Sequence, residues 1–122
     1  MATRDRLRAA YTAALHPAGA ERLDALVYPT VPLPAPPLGD DETTELNGRQ
    51  VPVFLTTIRN TGPGSTAGMP AISLPAGTTL AGLPIGISLE GLPGEDAALL
   101  ATARRVEAAL GRTGEAAGGL LP

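Results

Sequence analysis

The sequence predicts an α/β fold, with a small mixed sheet, flanking helices and long loops rich in proline and glycine. Three observations favour it: amphipathic helical patterns near both ends, short apolar runs between them, and 15 glycines and 13 prolines among 122 residues. The length suits about one domain. Apolar residues make up 43% and aromatic residues only 2%. The core must therefore be built mainly from small aliphatic side chains.

The first helix is predicted over residues 3–15. Apolar side chains recur there at helical spacing from Leu7 to Leu15, while the arginines lie largely off that stripe. The Pro-Ala-Gly sequence after His16 ends the helix. We expect His16, the single histidine, to face solvent.

A buried strand is predicted next, at residues 24–30, because an apolar run is bounded there by aspartate and proline. Four prolines follow within residues 31–39. Since proline has no backbone N–H, this segment is predicted to leave the sheet as an extended, polyproline-like excursion. In residues 40–49, Asn47 and Gly48 predict the tight turn of a hairpin.

Four acidic side chains in that last segment could bind a metal ion. A solvated surface loop is favoured, because their spacing fits no calcium-binding loop and no histidine joins them. These residues are Asp40, Asp41, Glu42 and Glu45. We therefore expect neither a metal site nor a cofactor.

Two more strands are predicted at residues 71–75 and 83–91, and the glycine-rich stretch 60–77 resembles an active-site loop ahead of a strand. The first of these strands lacks strict alternation, which predicts burial on both faces. A last helix begins near Glu95, with an apolar stripe through Leu99, and ends at a glycine.

The predicted organisation is one structural unit over residues 1–111 and a frayed tail over residues 112–122. Two helices cover a buried sheet poorly. We therefore expect the unit to pack on further protein, either a portion outside this chain or a second copy that meets an exposed apolar sheet face.

Charge and composition exclude several classes of function. The net charge is -3 and the nine basic residues are scattered, which argues against nucleic acid binding. There is no cysteine, so thiolate chemistry is excluded. The sequence contains neither an apolar run long enough for a membrane span nor a secretory signal, which predicts a cytoplasmic location.

Several motifs occur in a characteristic order. A strand ends in Pro29-Thr30, Asn60-Thr61 follows, then Gly-x-Pro-Ala-x-Ser-x-Pro-x-Gly at 68–77 and Leu-Pro-x-Gly at 83–86. With the terminal helix, this order closely resembles the C-terminal third of the amidase signature family over roughly residues 4–110. The stretches GDDETTELNG, IRNTGPGS and ISLEGLPGED are most similar to the aryl-acetamide hydrolases of that family, such as mandelamide and indoleacetamide hydrolases.

The resemblance implies a serine hydrolase that converts a carboxamide into a carboxylate and ammonia. In such enzymes a lysine activates one serine, which relays protons to a second, nucleophilic serine. This chain contains no lysine, and Ser65, Ser73 and Ser88 lie outside any Gly-Gly-Ser-Ser context. No catalytic residue carries over, so the chain alone is predicted to be inactive. Ser73 and Ser88 are interpreted as structural.

The resemblance also suggests which side chains line a substrate cleft. Each has a structural alternative: the threonine that follows the first strand could simply end it, the arginine could pair with a surface carboxylate, and the Asn-Thr pair could form an Asx-type turn. The candidates are Thr30, Arg59, Asn60, Thr61 and Ser65.

Four interpretations follow. The favoured one is the C-terminal portion of an amidase-type hydrolase, which needs the N-terminal portion in cis or as a partner chain. The second is a stand-alone, non-catalytic binding or interaction module. The third is a piece of the amide-hydrolysing subunit of a glutamine-dependent amidotransferase. The fourth, an independent hydrolase that combines a serine with His16 and Asp24, is disfavoured because no Gly-x-Ser-x-Gly elbow is present.

Overall fold

A computed structural model describes residues 3–111 of the chain. It has four helices and five strands in that range, and the α/β class predicted from the sequence is confirmed. The predicted fraying of residues 112–122 lies outside the described residues. The elements are α1 (Thr3–Leu15), β1 (Leu26–Pro29), β2 (Thr43–Leu46), β3 (Arg49–Pro52), α2 (Val53–Ile58), α3 (Gly62–Ala67), β4 (Ala71–Thr78), β5 (Pro84–Glu90) and α4 (Asp96–Leu110).

The central sheet has the strand order β1-β5-β4, and both pairings are antiparallel. The sequence analysis expected a mixed sheet, so this detail differs from the prediction. The short turn between β4 and β5 allows only an antiparallel pairing of these two strands. β1 also runs antiparallel to β5, although the two strands are far apart in the sequence. β4 carries an irregularity between Pro75 and Gly77.

One face of this sheet packs against α4. Leu74 and Leu89 from the strands are buried together with Leu99 and Ala103 from the helix. Leu99 and Ala103 belong to the apolar stripe predicted for the terminal helix, and their burial confirms that prediction. Most of the buried aliphatic surface of the strands lies on this side.

The opposite face of the sheet is covered only at one end, by α1 and α3. Leu15, Ala67 and Met69 form a second buried cluster there. Because the other end of this face stays open, Ser73 is exposed while its neighbour Leu74 is buried. The expected burial of the 71–75 strand on both faces is therefore wrong.

The predicted hairpin is formed by β2 and β3. Its turn residues Asn47 and Gly48 have φ values of 52° and 77°, and positive values at both positions are what a type I′ turn requires. Residues 31–42, which contain the prolines, form no strand or helix, as predicted.

Two short helices occur where the sequence analysis predicted no helix. α2 and α3 have six residues each, and α3 lies inside the stretch 60–77. Proline stands near the start of α3, and Gly68 ends it with φ 72° in the left-handed region. That stretch therefore forms a helix followed by a strand and not an irregular loop.

Three arginine side chains tie these elements together. Arg8 on α1 donates two hydrogen bonds, of 3.0 and 2.9 Å, to the carbonyl oxygen of Ala67 at the end of α3. Arg22 pairs with Glu95 at the start of α4, and Arg105 on α4 pairs with Asp24 at 2.9 Å. Of the helices in residues 3–111, none has the length and apolarity to cross a bilayer.

Candidate functional site

A groove of about 880 Å³ lies beside the open end of the sheet. Its walls are the end of β1 with the proline-rich segment (residues 29–36), the β2–β3 turn, the last part of α2, and the facing parts of β4 and β5. Prolines and aliphatic side chains supply most of the lining. Apolar walls with a few polar groups are typical of sites for small ligands.

Three hydroxyl groups are linked at the base of this groove. The Oγ1 of Thr30 lies 2.6 Å from the Oγ of Ser73, and the Oγ of Ser88 donates to the Oγ1 of Thr30 at 2.9 Å. Strand register explains the grouping, because Ser73 and Ser88 are directly opposite each other on one face of the sheet. Thr30 and Ser73 line the groove, whereas Ser88 is 3% exposed and lies beneath them.

Gly86 on β5 provides the space for these hydroxyl groups. A Cβ atom at this position would lie 2.9 Å from the Oγ of Ser73 and 3.1 Å from the Oγ1 of Thr30. The backbone carbonyl of Gly86 also accepts a 3.0 Å hydrogen bond from the N–H of Thr30. The glycine of the Leu-Pro-x-Gly motif is therefore explained by close packing and not by an unusual backbone angle.

The structure brings two of the five predicted cleft residues to the groove, namely Thr30 and Arg59. Arg59 is exposed, and within residues 3–111 no carboxylate pairs with it. Its predicted contact with substrate stays a prediction, as does that of Thr30. The alternative in which Thr30 merely ends a strand does not account for its two hydroxyl contacts.

The other three candidates lie outside the groove lining. The side-chain amide of Asn60 donates a 2.8 Å hydrogen bond to the carbonyl oxygen of Pro29, so it connects the end of α2 to the end of β1. Thr61 is the N-cap residue of α3 but makes no capping hydrogen bond with its side chain. Ser65 is exposed on α3. Asn60 therefore binds a residue of the groove wall without lining the groove itself.

A buried carboxyl group lies at the covered end of the same sheet face. Glu90 is 1% exposed, and burial raises its pKa, although interactions with the hydroxyls of Tyr28 and Tyr11 oppose the shift. Burial, followed by the charge of Glu90, raises the pKa of Tyr28 to about 12. Within the described residues, Glu90 Oε2 and Tyr28 Oη lack a partner of regular hydrogen-bond geometry. The tyrosine contacts are therefore weak, and burial decides the direction for Glu90.

The carboxyl group of Glu90 lies next to Gly64 of α3. A Cβ atom on Gly64 would overlap its Oε1 atom, so a larger residue at that position would require the Glu90 side chain to move. The sequence analysis assigned no role to Glu90. Its position in an apolar strand was the available signal, because a carboxylate is seldom fully buried without a partner.

The groups proposed for an independent hydrolase are occupied elsewhere. The Nδ1 of His16 lies 3.2 Å from the carbonyl oxygen of Thr12, and Asp24 binds Arg105. Neither contacts a serine in the part of the chain that the structure describes. In the same range, no group of three or more histidine, cysteine or acidic residues could hold a metal ion.

The fold and the groove define an α/β unit whose antiparallel sheet forms one wall of an open site. The Amidase family model matches residues 1–100, and the chain belongs to this family. Solved structures that it matches, in the C-terminal portion of their fold, include an amidase and the 6-aminohexanoate cyclic dimer hydrolase. One of them, described as a crystal structure of amidase, is 39% identical with a TM-score of 0.77, and the match covers 88% of this chain and 23% of that one.

Two named relatives are similarly close. The indoleacetamide hydrolase of Agrobacterium vitis is 42% identical over 89 residues, which is 73% of this chain and 19% of the relative. The mandelamide hydrolase of Pseudomonas putida is 47% identical over 94 residues, or 75% of this chain and 17% of the relative. The chain thus spans less than a quarter of the length of the proteins it matches.

Proposed function

We propose that this chain forms one wall of the substrate cleft in an amidase-type serine hydrolase, which converts a carboxamide into a carboxylate and ammonia. The observation that carries the proposal is the apolar groove with Thr30, Ser73 and Arg59 on its surface. The 122 residues include no lysine, so the Ser-Ser-Lys chemistry must come from protein outside this chain. The chain alone is inactive in this proposal.

A small carboxamide with an apolar body is the substrate class that fits this groove. The prolines and aliphatic side chains would contact the apolar body, and the hydroxyl groups would contact the amide. The printed names of the relatives, indoleacetamide hydrolase and mandelamide hydrolase, support an aryl-acetamide.

Further protein would cover the exposed apolar face of α2. Phe54, Leu55 and Ile58 are 70%, 61% and 42% exposed, and their spacing places them on one side of the helix. The sequence analysis expected an exposed apolar face on the sheet. The large exposed apolar side chains of the sheet strands are Val27 and Ile85, and they are not adjacent in the sequence. Contiguous exposed apolar side chains commonly mark an interface. We assign this face to the contact with the catalytic portion, in cis or as a partner chain.

A stand-alone binding module is the alternative with support in the structure. Both sheet faces carry a buried cluster, which favours a unit that can fold without the rest of an amidase. Such a module would keep the groove but would not increase catalysis when joined to an amidase N-terminal portion.

A hybrid enzyme separates these two possibilities. Residues 1–110 replace the matching segment of the Pseudomonas putida mandelamide hydrolase, and ammonia release from mandelamide is measured. We expect release by the hybrid and none above background by the chain alone. The control is the same hybrid with Gly86→Leu, which fills the groove beside Ser73 and should stop the release.

Two results would contradict the proposal. The first is a hybrid that folds, by circular dichroism, yet releases no ammonia. The second is turnover by the isolated chain that Ser65→Ala abolishes, which would revive the independent hydrolase.

A further inference from the structure

The hydroxyl groups of Ser88, Thr30 and Ser73 form a chain of two hydrogen bonds that leads from the buried side of the sheet to the groove. A hydroxyl group has one proton to donate and two lone pairs. The buried Oγ of Ser88 donates to the Oγ1 of Thr30. If Ser73 also donated to Thr30, the proton of Thr30 would have no acceptor among the hydrogen bonds of the described residues. The 2.6 Å contact allows either atom to donate; we take Thr30 as the donor, because both less exposed hydroxyls then have an acceptor within the protein.

This direction leaves the proton of Ser73 unused. Its oxygen accepts from Thr30 at 2.6 Å, and within residues 3–111 it makes no other side-chain hydrogen bond. Ser73 is exposed and lines the groove. The free proton is therefore available to a molecule that enters the groove.

Gly86 gives independent support for access to this proton. A side chain at this position would press on the hydroxyls of both Ser73 and Thr30, at 2.9 and 3.1 Å. The glycine keeps the strand surface beside the two hydroxyls free of side-chain atoms. A ligand can then approach them along the backbone of β5.

We propose that Ser73 is a substrate-contacting residue whose hydroxyl donates a hydrogen bond to an acceptor oxygen of the ligand, with Thr30 and Ser88 fixing its orientation. The inference rests on the proposed function, since it takes the groove to be the carboxamide cleft. The acceptor is the carbonyl oxygen of a small apolar carboxamide. Ser73 performs no bond-breaking step; it binds and orients the substrate.

The test measures binding of two probes by nuclear magnetic resonance of the isotope-labelled chain. Phenylacetamide has an acceptor oxygen, and toluene has the same ring without one. We expect Ser73→Ala to weaken phenylacetamide binding roughly 2- to 10-fold, the range for one lost hydrogen bond, and to leave toluene binding unchanged. Thr78→Ala, which removes an exposed hydroxyl on the same strand outside the groove lining, is the matched control and should bind both probes as the wild type does.

The outcomes separate this inference from the proposed function. If the wild type binds phenylacetamide in the groove and Ser73→Ala binds it equally well, the role of Ser73 is wrong while the cleft remains. An equal loss for toluene would mean that Ser73 only shapes the groove, which also overturns the inference. If neither probe shifts the resonances of Ser73 and Gly86 in the wild type, the groove of this chain does not bind the carboxamide and the inference fails, while ammonia release by the hybrid still decides the proposed function.

Discussion

Glu90 carries an ionisable carboxyl group that is almost fully buried. Its pKa is raised above the ordinary value of 4.5 by burial, so the folded chain keeps a proton that the unfolded chain releases. This contribution to the free energy of unfolding is complete below pH 4.5 and is lost as the pH rises through the raised pKa. The hydroxyls facing the carboxyl group belong to Tyr11 on α1 and Tyr28 on β1.

The substitution Glu90→Gln removes this titration and keeps the shape of the side chain. We expect the variant to gain stability relative to the wild type as the pH rises above 4.5, measured by urea unfolding at several pH values. Glu107→Gln, on the exposed side of α4, is the control and should follow the pH dependence of the wild type. Parallel curves for Glu90→Gln and the wild type would contradict the assignment.

The residues of the site were only partly predictable from the sequence. Thr30 and Arg59 were found because they lie in motifs of the resemblance, and both line the groove. Ser73 was interpreted as structural because it lies in the middle of a predicted strand. Its contact with Thr30 joins positions 43 residues apart, so the sequence did not reveal it. That contact depends on the pairing of β4 with β5 and on the position of Thr30 after β1. The local sequence specifies neither of these.

Among the helices, the sequence predicted the two long ones and missed the two short ones. The long helices α1 and α4 and the β2–β3 hairpin were predicted, because several turns of apolar periodicity or an Asn-Gly turn marked them. α2 and α3 have six residues each, too few to show a period. The sequence of α3 also contains proline and glycine, which are typical of loops. α3 is stabilised by tertiary contacts, which the helix propensity of its residues does not reveal.

The attachment of α3 to α1 depends strongly on Arg8, which makes the two hydrogen bonds to the carbonyl of Ala67. We expect Arg8→Ala to lower the free energy of unfolding by about 1–2 kcal/mol, because the contacts are charge-assisted but only partly buried. Hydrogen exchange should show faster opening of the α1 amides. Arg6→Ala, an exposed arginine on the same helix, should change neither measurement. An unchanged exchange rate in Arg8→Ala would show that the apolar cluster alone holds α1.

At the scale of the whole molecule, the distribution of buried surface is uneven. α4 covers one sheet face, whereas α1 and α3 cover only one end of the other. The groove occupies the remainder, and α2 turns Phe54 and Ile58 towards solvent beside it. Exposed apolar patches on soluble proteins commonly mark interaction sites. Packing against a catalytic portion would cover α2 and would also complete the walls of the groove.

This arrangement predicts that one pair of substitutions lowers dye binding by the isolated chain and lowers the activity of the hybrid. In the isolated chain, Phe54→Ser with Ile58→Ser should reduce the binding of a hydrophobic dye, because it removes exposed apolar surface without disturbing either buried cluster. In the hybrid with mandelamide hydrolase, the same pair should lower ammonia release, because the interface loses apolar contacts. Leu80→Ser, at a fully exposed and solitary leucine, should leave hybrid activity unchanged. Full activity of the hybrid with both α2 serines would place the interface elsewhere, and the exposed face of α2 would need a different occupant.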